Sequence, residues 1–311
     1  MSTMDVMLTY RPSESGIHRL NPFVMLSWLF AVLMAAMVLQ HPLWLAAVLL
    51  STVGVAAAAG VIAQWRSVMR FVLWMAVAVV LINAIVGTQG SHVLLTAGFR
   101  LPLVGTPRLT AESLAFGGAM SIRLAAIISS FTLINLCVHP DDLMRAAIKL
   151  RLPYRSVLAT SLSFRFIPVL LQDARTIMDV QRSRGLSFSS GGLAQRIRSR
   201  GALILPLLSN SLDRAVQVAE AMEARAYGAP VQRTYYRDRR MSPLDRALLV
   251  VLWCGAAFVL WLRTAGIGDY TFYPSLSTLS MTSSEWVALL LLCAALVAVP
   301  AGSLVSRYAH D

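Results

Sequence analysis

The sequence predicts an all-α polytopic membrane protein with about six transmembrane helices and, between the fourth and fifth, a cytoplasmic domain built on two long helices. Three observations carry this fold class. Apolar residues make up 57% of the 311 positions and charged residues only 14%, too little polar surface to coat a soluble globule of this size. The apolar residues gather in runs of bilayer-spanning length. Finally, 18 of the 27 basic residues and 9 of the 15 acidic ones lie between His139 and Arg246, so this third of the chain supplies +9 of the net charge of +12. Arg-rich loops are retained on the cytoplasmic side and suit anionic lipid headgroups. Beside membrane spans, that charge does not call for nucleic acid.

Five apolar runs approach or pass the 17 to 25 residues that cross about 30 Å of hydrocarbon: Phe23 to Leu39, Leu43 to Ala63, Phe71 to Val86, Leu114 to Val138 and Trp286 to Val305. Ala247 to Leu262 makes a shorter sixth. The predicted domains are residues 1–138 with four spans, 139–246 as the cytoplasmic segment, and 247–311 with one or two spans. Arg11 and Arg19 precede the first span, Arg66 and Arg70 separate the second from the third, and the Arg-rich segment follows the fourth. With six spans all of these share one side, so both termini are expected in the cytoplasm. Gly87 to Ser113 and Arg263 to Glu285 connect spans on the other side. Val157 to Leu171 is apolar but interrupted by Arg165 and Pro168, and its crossing would put the basic residues outside, so it is assigned to the membrane surface or the flanks of the spans. Some 20 mostly polar residues precede the first run and no small-x-small site follows it, which marks a span rather than a removed signal peptide.

Small residues recur four apart in the second span (Gly54 with Ala58, Ala56 with Gly60) and the fourth (Gly117, Ser121, Ala125). Such faces let helices approach closely in lipid, either within this chain or against another membrane subunit. Arg123 lies inside the fourth run and needs a polar partner or an outward path. Cys137, Cys254 and Cys293 all sit in apolar stretches and are expected to be packing residues.

In the Arg-rich region one helix is expected from an N-cap at Ser156 to Arg184, stopping at Gly185, and a second from about Gly201 to Ala226. The second is amphipathic: Leu203, Leu207, Leu212, Ala215, Val216, Ala219 and Met222 share one side, and Asp213, Gln217, Glu220 and Glu223 the other. Pro206 is expected to kink it, and Gly228 and Pro230 to end it. The two helices finish alike, in Arg182-Ser183-Arg184-Gly185 and Ala224-Arg225-Ala226-Tyr227-Gly228. An Arg between small neighbours protrudes from a helix end and can fork onto a carboxylate in a partner's groove. The plainer alternative is that each Arg complements the helix dipole, worth about 0.3 to 1 kcal/mol.

The ordered set Ile17-His18-Arg19-Leu20-Asn21-Pro22, His139-Pro140-Asp141-Asp142-Leu143, Leu152-Pro153-Tyr154-Arg155, Arg165-Phe166-Ile167-Pro168, Gln181-Arg182-Ser183-Arg184-Gly185 and Ala221-Met222-Glu223-Ala224-Arg225-Ala226-Tyr227-Gly228 resembles the T component, the transmembrane coupling subunit, of energy-coupling-factor ABC transporters, the group that includes the CbiQ and BioN proteins. The likeness covers roughly residues 15 to 265. It implies a multi-pass protein of the bacterial cell membrane that clamps two cytosolic ABC ATPases to a small substrate-binding membrane (S) subunit. It also implies two long crossed coupling helices, whose ends dock into the ATPases through motifs of small residue, Arg, small residue. Ser183, Arg184 and Gly185 match one motif, and Ala224, Arg225 and Ala226 the other, with Ala226 where the commoner pattern has Gly. Arg165, Pro168, Arg182, Glu223, Tyr227 and Gly228 match supporting positions of the coupling helices.

No catalytic or cofactor site is expected on the chain itself, and ATP would be hydrolysed by the partners. A phosphate loop needs Gly-x-x-x-x-Gly-Lys-Ser/Thr, and the single lysine, Lys149, has no such context. The five histidines are scattered without a His-Glu-x-x-His pattern, and Gly266-Ile267-Gly268 lacks the third glycine of a dinucleotide turn. Asp141 and Asp142 follow Pro140 where helix-start acids are expected, so no metal is assigned to them. An ordinary ABC permease would carry Glu-Ala-Ala-x-x-x-Gly followed by Ile-x-Leu-Pro, which Glu223-Ala224-Arg225 with Gly228 does not fit. The alternatives are a membrane enzyme acting on lipid or prenyl substrates and a membrane scaffold.

Overall fold

The computed structural model describes residues 15–86, 90–96, 108–150, 153–185, 193–228, 241–273, 276–277 and 280–308. Among them the elements run α1 (Gly16–Arg19), α2 (Pro22–Val38), α3 (Pro42–Ala59), α4 (Ile62–Val86), β1 (Val93–Thr96), β2 (Arg108–Thr110), α5 (Ala111–Cys137), α6 (Pro140–Lys149), α7 (Tyr154–Ser183), α8 (Leu193–Ala224), α9 (Pro243–Thr264) and α10 (Ser283–Tyr308). The fold is all-α apart from one short hairpin, and it divides into two compact units, Met1–Leu143 with Arg239–Asp311, and Met144–Asp238.

The first unit is a bundle whose helices start where local chemistry starts them. α2, α3 and α9 each open on a proline, whose missing N–H costs nothing at that position. The residue before it caps the helix: Asn21 Oδ1 accepts from Phe23 N–H (3.1 Å), His41 Nδ1 from Leu43 N–H (3.3 Å) and Ser242 Oγ from Asp245 N–H (3.1 Å). α3 ends on Gly60, left-handed at φ 71°, with the Val61 N–H reaching back to Ala56 O at 3.1 Å. Trp28, Trp44, Met25, Leu133, Leu252 and Leu292 are fully buried between the helices.

Contacts at the two ends of this bundle show that its long helices alternate in direction. At one end, Asn21 N–H donates to Asp245 Oδ1 (3.4 Å), the His18 ring lies beside the backbone of Leu136, and Gly16 packs against the backbone of Ser303. The starts of α2 and α9 and the ends of α5 and α10 therefore share that end. At the other, the His41 ring meets Tyr270 edge-on, Gly268 lies on the Trp44 ring and donates its N–H to Glu285 (3.2 Å), and Phe116 meets Phe272. Six helices are long and apolar enough to cross a membrane: α3, α4, α5, α7, α9 and α10. α2, with 17 residues, spans about 26 Å at 1.5 Å per residue and runs the depth of the bundle beside α5 and α9. α7, with 30 residues, qualifies by length and composition as the others do. The chain leaves α5 and enters α9 at the same end of the bundle, so the number of crossings between them is even. The helices of the bundle itself are α2, α3, α4, α5, α9 and α10.

Several boundaries differ from those expected. α4 begins at Ile62, not Phe71, so Arg66 and Arg70 lie in its first turns rather than in a loop; both are exposed there, and long stems let such charges reach the interface. α7 is capped at Pro153, not Ser156. α8 begins at Leu193, eight residues ahead of Gly201, because one glycine costs a helix only about 1 kcal/mol and good helix formers precede it. Between α4 and α5, where only a connecting segment was expected, β1 pairs with β2 in antiparallel register, Val93 opposite Thr110 and Thr96 opposite Arg108.

The small-residue faces are used inside the chain. A Cβ on Gly117 would lie 3.1 Å from Val80 Cα, and Ser121 Oγ donates to Ala76 O (3.1 Å), which closes α4 onto α5. Gly54 faces Pro300 of α10. A buried polar chain crosses three helices: Trp65 Nε1 donates to Ser129 Oγ (2.7 Å), which donates to Thr52 Oγ1 (2.8 Å), which donates to Leu49 O (2.6 Å). Arg123 finds the partner its sequence left open, donating from Nη2 to Leu39 O at the end of α2 (2.8 Å), where helix carbonyls lack intrahelical donors. Glu112, at the mouth of α5, is fully buried and accepts from the Ser91 N–H and hydroxyl and the His92 N–H, with His92 Nδ1 at 3.0 Å. Glu112→Ala strands these donors and is expected to lower the thermal midpoint more than His92→Ala, whose exposed ring gives up only its contacts with Glu112 and Ser91.

Candidate functional site

The second unit is built on α7 and α8. Each contains a proline, Pro168 and Pro206, whose ring removes one i→i−4 bond. Among the described residues one ion pair joins the two helices, Arg214 Nη2 to Asp173 Oδ2 at 2.7 Å. Tyr154, at the start of α7, stacks on Tyr227, just past the end of α8, with ring centroids 6.4 Å apart. α8 thus folds back along the first part of α7, and the C-terminal ends of the two helices point away from each other.

Those ends have the same construction. Arg184 is the C-cap of α7, its N–H reaching Val180 O and Gln181 O, and Gly185 follows in the left-handed conformation (φ 86°), its N–H on Arg182 O (3.0 Å). On α8 the Ala226 N–H reaches Glu223 O (2.8 Å) and the Tyr227 N–H reaches Met222 O (2.9 Å), the two bonds of a Schellman motif. That motif makes Arg225 the C-cap and puts Ala226 in the left-handed position, at φ 54°. In both, a small residue closes the last turn, the Arg occupies the cap, and a left-handed residue turns the chain away beneath it. Ser183, Arg184, Gly185, Ala224, Arg225 and Ala226 are all exposed. Ser183 Oγ donates back to Asp179 O (3.0 Å), and Arg182 pairs with Asp179 in the same helix (3.6 Å). Among the described residues the Arg184 and Arg225 guanidinium groups have no hydrogen-bond or ion-pair partner.

The supporting positions divide. Arg182, Glu223, Tyr227 and Gly228 (φ 100°) belong to the helix ends. Arg165 and Pro168 lie mid-helix, with Arg165 about 28 Å along α7 from Arg184 at 1.5 Å per residue, and the structure does not bring them to the tips. Asp173 and Arg214, which pair across the helices, carried no functional signal in the sequence; a lone Asp and a lone Arg in amphipathic helices look like solvent-facing charges until the partner helix is placed.

Ala226 is the one non-glycine residue with positive φ among those described. A left-handed residue with a Cβ is about 1 to 2 kcal/mol worse than glycine there, partly offset by the greater unfolded-state freedom of glycine. Ala226→Gly is therefore expected to stabilise the end of α8 by about 0.5 to 1 kcal/mol. Slower amide exchange at Tyr227 checks it.

A family model described as CbiQ, cobalt transport protein, matches residues 13–236. The chain belongs to this family. The match takes in the ends of α7 and α8 and stops short of α9 and α10. The energy-coupling factor transporter transmembrane protein EcfT of Bacillus selenitireducens is 33% identical over 268 residues, covering 83% of this chain and 96% of that protein. The EcfT proteins of Bacillus subtilis (28% over 271 residues, 84% and 99%) and Listeria innocua (32% over 201 residues, 62% and 73%) are also similar. This CbiQ-family chain is thus a multi-pass membrane protein of the energy-coupling-factor transmembrane type.

Proposed function

We propose that the chain is the coupling subunit of an energy-coupling-factor ABC importer, a non-catalytic part that passes the ATP-driven motion of two cytosolic ATPases to a small substrate-binding membrane subunit. The observation that carries this is the repeated helix end: two exposed arginines without a partner among the described residues, each at a C-cap between small residues, on two joined helices of a CbiQ-family chain. Helix-dipole compensation explains either arginine alone; it does not call for the same small-Arg-turn construction twice. Each guanidinium is free to fork onto a carboxylate of an ATPase.

The cargo is a vitamin or a transition-metal ion held by the binding subunit, and ATP belongs to the ATPases. The Arg-rich segment and both termini lie in the cytoplasm, because the connections on their side of the bundle carry most of the basic residues. When ATP closes the ATPase pair, the tips are drawn together and the joined helices tilt the binding subunit. α8 offers that subunit an exposed apolar stripe, Ile204, Leu208, Leu212 and Val216, four residues apart. The test is purification of the chain in mild detergent with mass spectrometry of what accompanies it, and ATP-dependent uptake in liposomes. Two ATPase subunits and one small membrane protein are expected. Turnover of lipid by the chain alone would support a membrane enzyme instead, and partners without uptake a scaffold.

A further inference from the structure

Asp173 stands eleven residues before Arg184, and Arg214 eleven residues before Arg225. Eleven residues make three helical turns to within about 20°, a rise of about 16 Å. The ion pair that joins α7 to α8 is thus equally far from both arginine tips and on nearly the same helical face as each. The two arms lead away from it in opposite senses, because the Tyr154–Tyr227 stack lays the α8 arm along the first half of α7. The helix ends are then at most about 35 Å apart, two arms of about 16 Å laid end to end and offset sideways by one interhelical spacing of about 9 Å.

The pair is more than a surface contact. The Asp173 and Arg214 side chains are 23% and 35% exposed, at 2.7 Å, whereas Arg182 and Asp179, at 60% and 74%, meet at 3.6 Å and are of the kind that contributes little. A short charge-assisted bond between half-buried groups fixes which residues meet, and as the one ion pair between α7 and α8 among the described residues it holds a point while leaving the crossing angle adjustable. The stack, far out along the α8 arm, sets that angle at rest.

We propose that Asp173 and Arg214 are positioning residues that form the fulcrum of the coupling helices: they fix the distance between the two arginine tips and are the point about which the helices turn. This rests on the coupling reading of the tips.

The test uses the complex that co-purifies with the chain, in liposomes, with Asp173→Asn, Arg214→Gln and the exchange Asp173→Arg with Arg214→Asp. In the single variants, ATPase recovery is expected to stay within about twofold of wild type while ATP consumed per substrate imported rises at least about fivefold, and the exchange restores the ratio. A second readout is the distance between spin labels at Val180 and Glu220 in a chain whose Cys137, Cys254 and Cys293 are replaced. The distribution is expected to about double in width in the single variants and to narrow again in the exchange. An unchanged ratio or width in the single variants, or a loss that the exchange does not restore, overturns the fulcrum and leaves the coupling function standing, since the ATPases are still bound. A wild-type chain that brings no ATPases overturns the coupling function, and the fulcrum with it.

Discussion

Replacing Arg184 and Arg225 together with Glu is expected to lower ATPase co-purification and ATP-dependent uptake by at least about 100-fold. Each guanidinium is exposed and without a partner among the described residues, so its removal takes nothing from the described fold beyond the last-turn dipole, about 0.3 to 1 kcal/mol per end. If each tip is buried against a carboxylate, reversal sets two like charges together in a desolvated groove, and truncation of such a pair alone costs about 2 to 5 kcal/mol. Two sites exceed the roughly 2.7 kcal/mol that corresponds to 100-fold. Single reversals are expected to fall between. The thermal midpoint of the isolated chain should stay within a few degrees, which separates lost docking from lost folding. Survival of both co-purification and uptake in the double variant contradicts the docking assignment.

Gly117→Leu is expected to destabilise the bundle by about 2 to 3 kcal/mol, within the range for an overpacked core. A Cβ at residue 117 would stand 3.1 Å from Val80 Cα and 3.3 Å from Asn83 Cβ, and the first of these is backbone, which cannot rotate aside. Longer side chains have to push α4 off α5 and stretch the Ser121 to Ala76 bond one turn along. Gly117→Ala is expected to be nearly neutral, since a shift of a few tenths of an ångström is set against the roughly 1 kcal/mol better helix propensity of alanine. Denaturant titration in detergent measures both. A Leu variant as stable as wild type would mean that the α4–α5 approach is not tight.

Much of the bundle was legible in the sequence because lipid leaves few options: long apolar runs must be helices, and Asn21-Pro22, His41-Pro42 and Ser242-Pro243 mark their starts. What escaped was set by tertiary contact or by charge. Arg66 and Arg70 looked like a loop because charges are expensive in lipid, but they lie near a helix end and reach outward. Strands β1 and β2 are too short for alternation to register. The small-residue faces were visible, and only placement of α4 and α10 opposite Gly117 and Gly54 decided that they close helices of this chain. In the second unit, the two helices and their arginine ends were readable from apolar spacing and from Gly185 and Gly228. The departure at Ala226 was readable as well, but not that it falls on a left-handed residue. The pairing of Asp173 with Arg214 leaves no trace in either helix alone.

The central claim, that both arginine tips touch ATPases, is tested most directly by a photo-crosslinking residue placed at Ser183 and, separately, at Ala224, in membranes that hold the whole complex. Both side chains are exposed and adjoin the caps. Each position is expected to give a cross-link to an ATPase subunit that is lost when the neighbouring Arg is replaced by Glu. Cross-links from either position only to lipid, or only to another membrane protein, would contradict it.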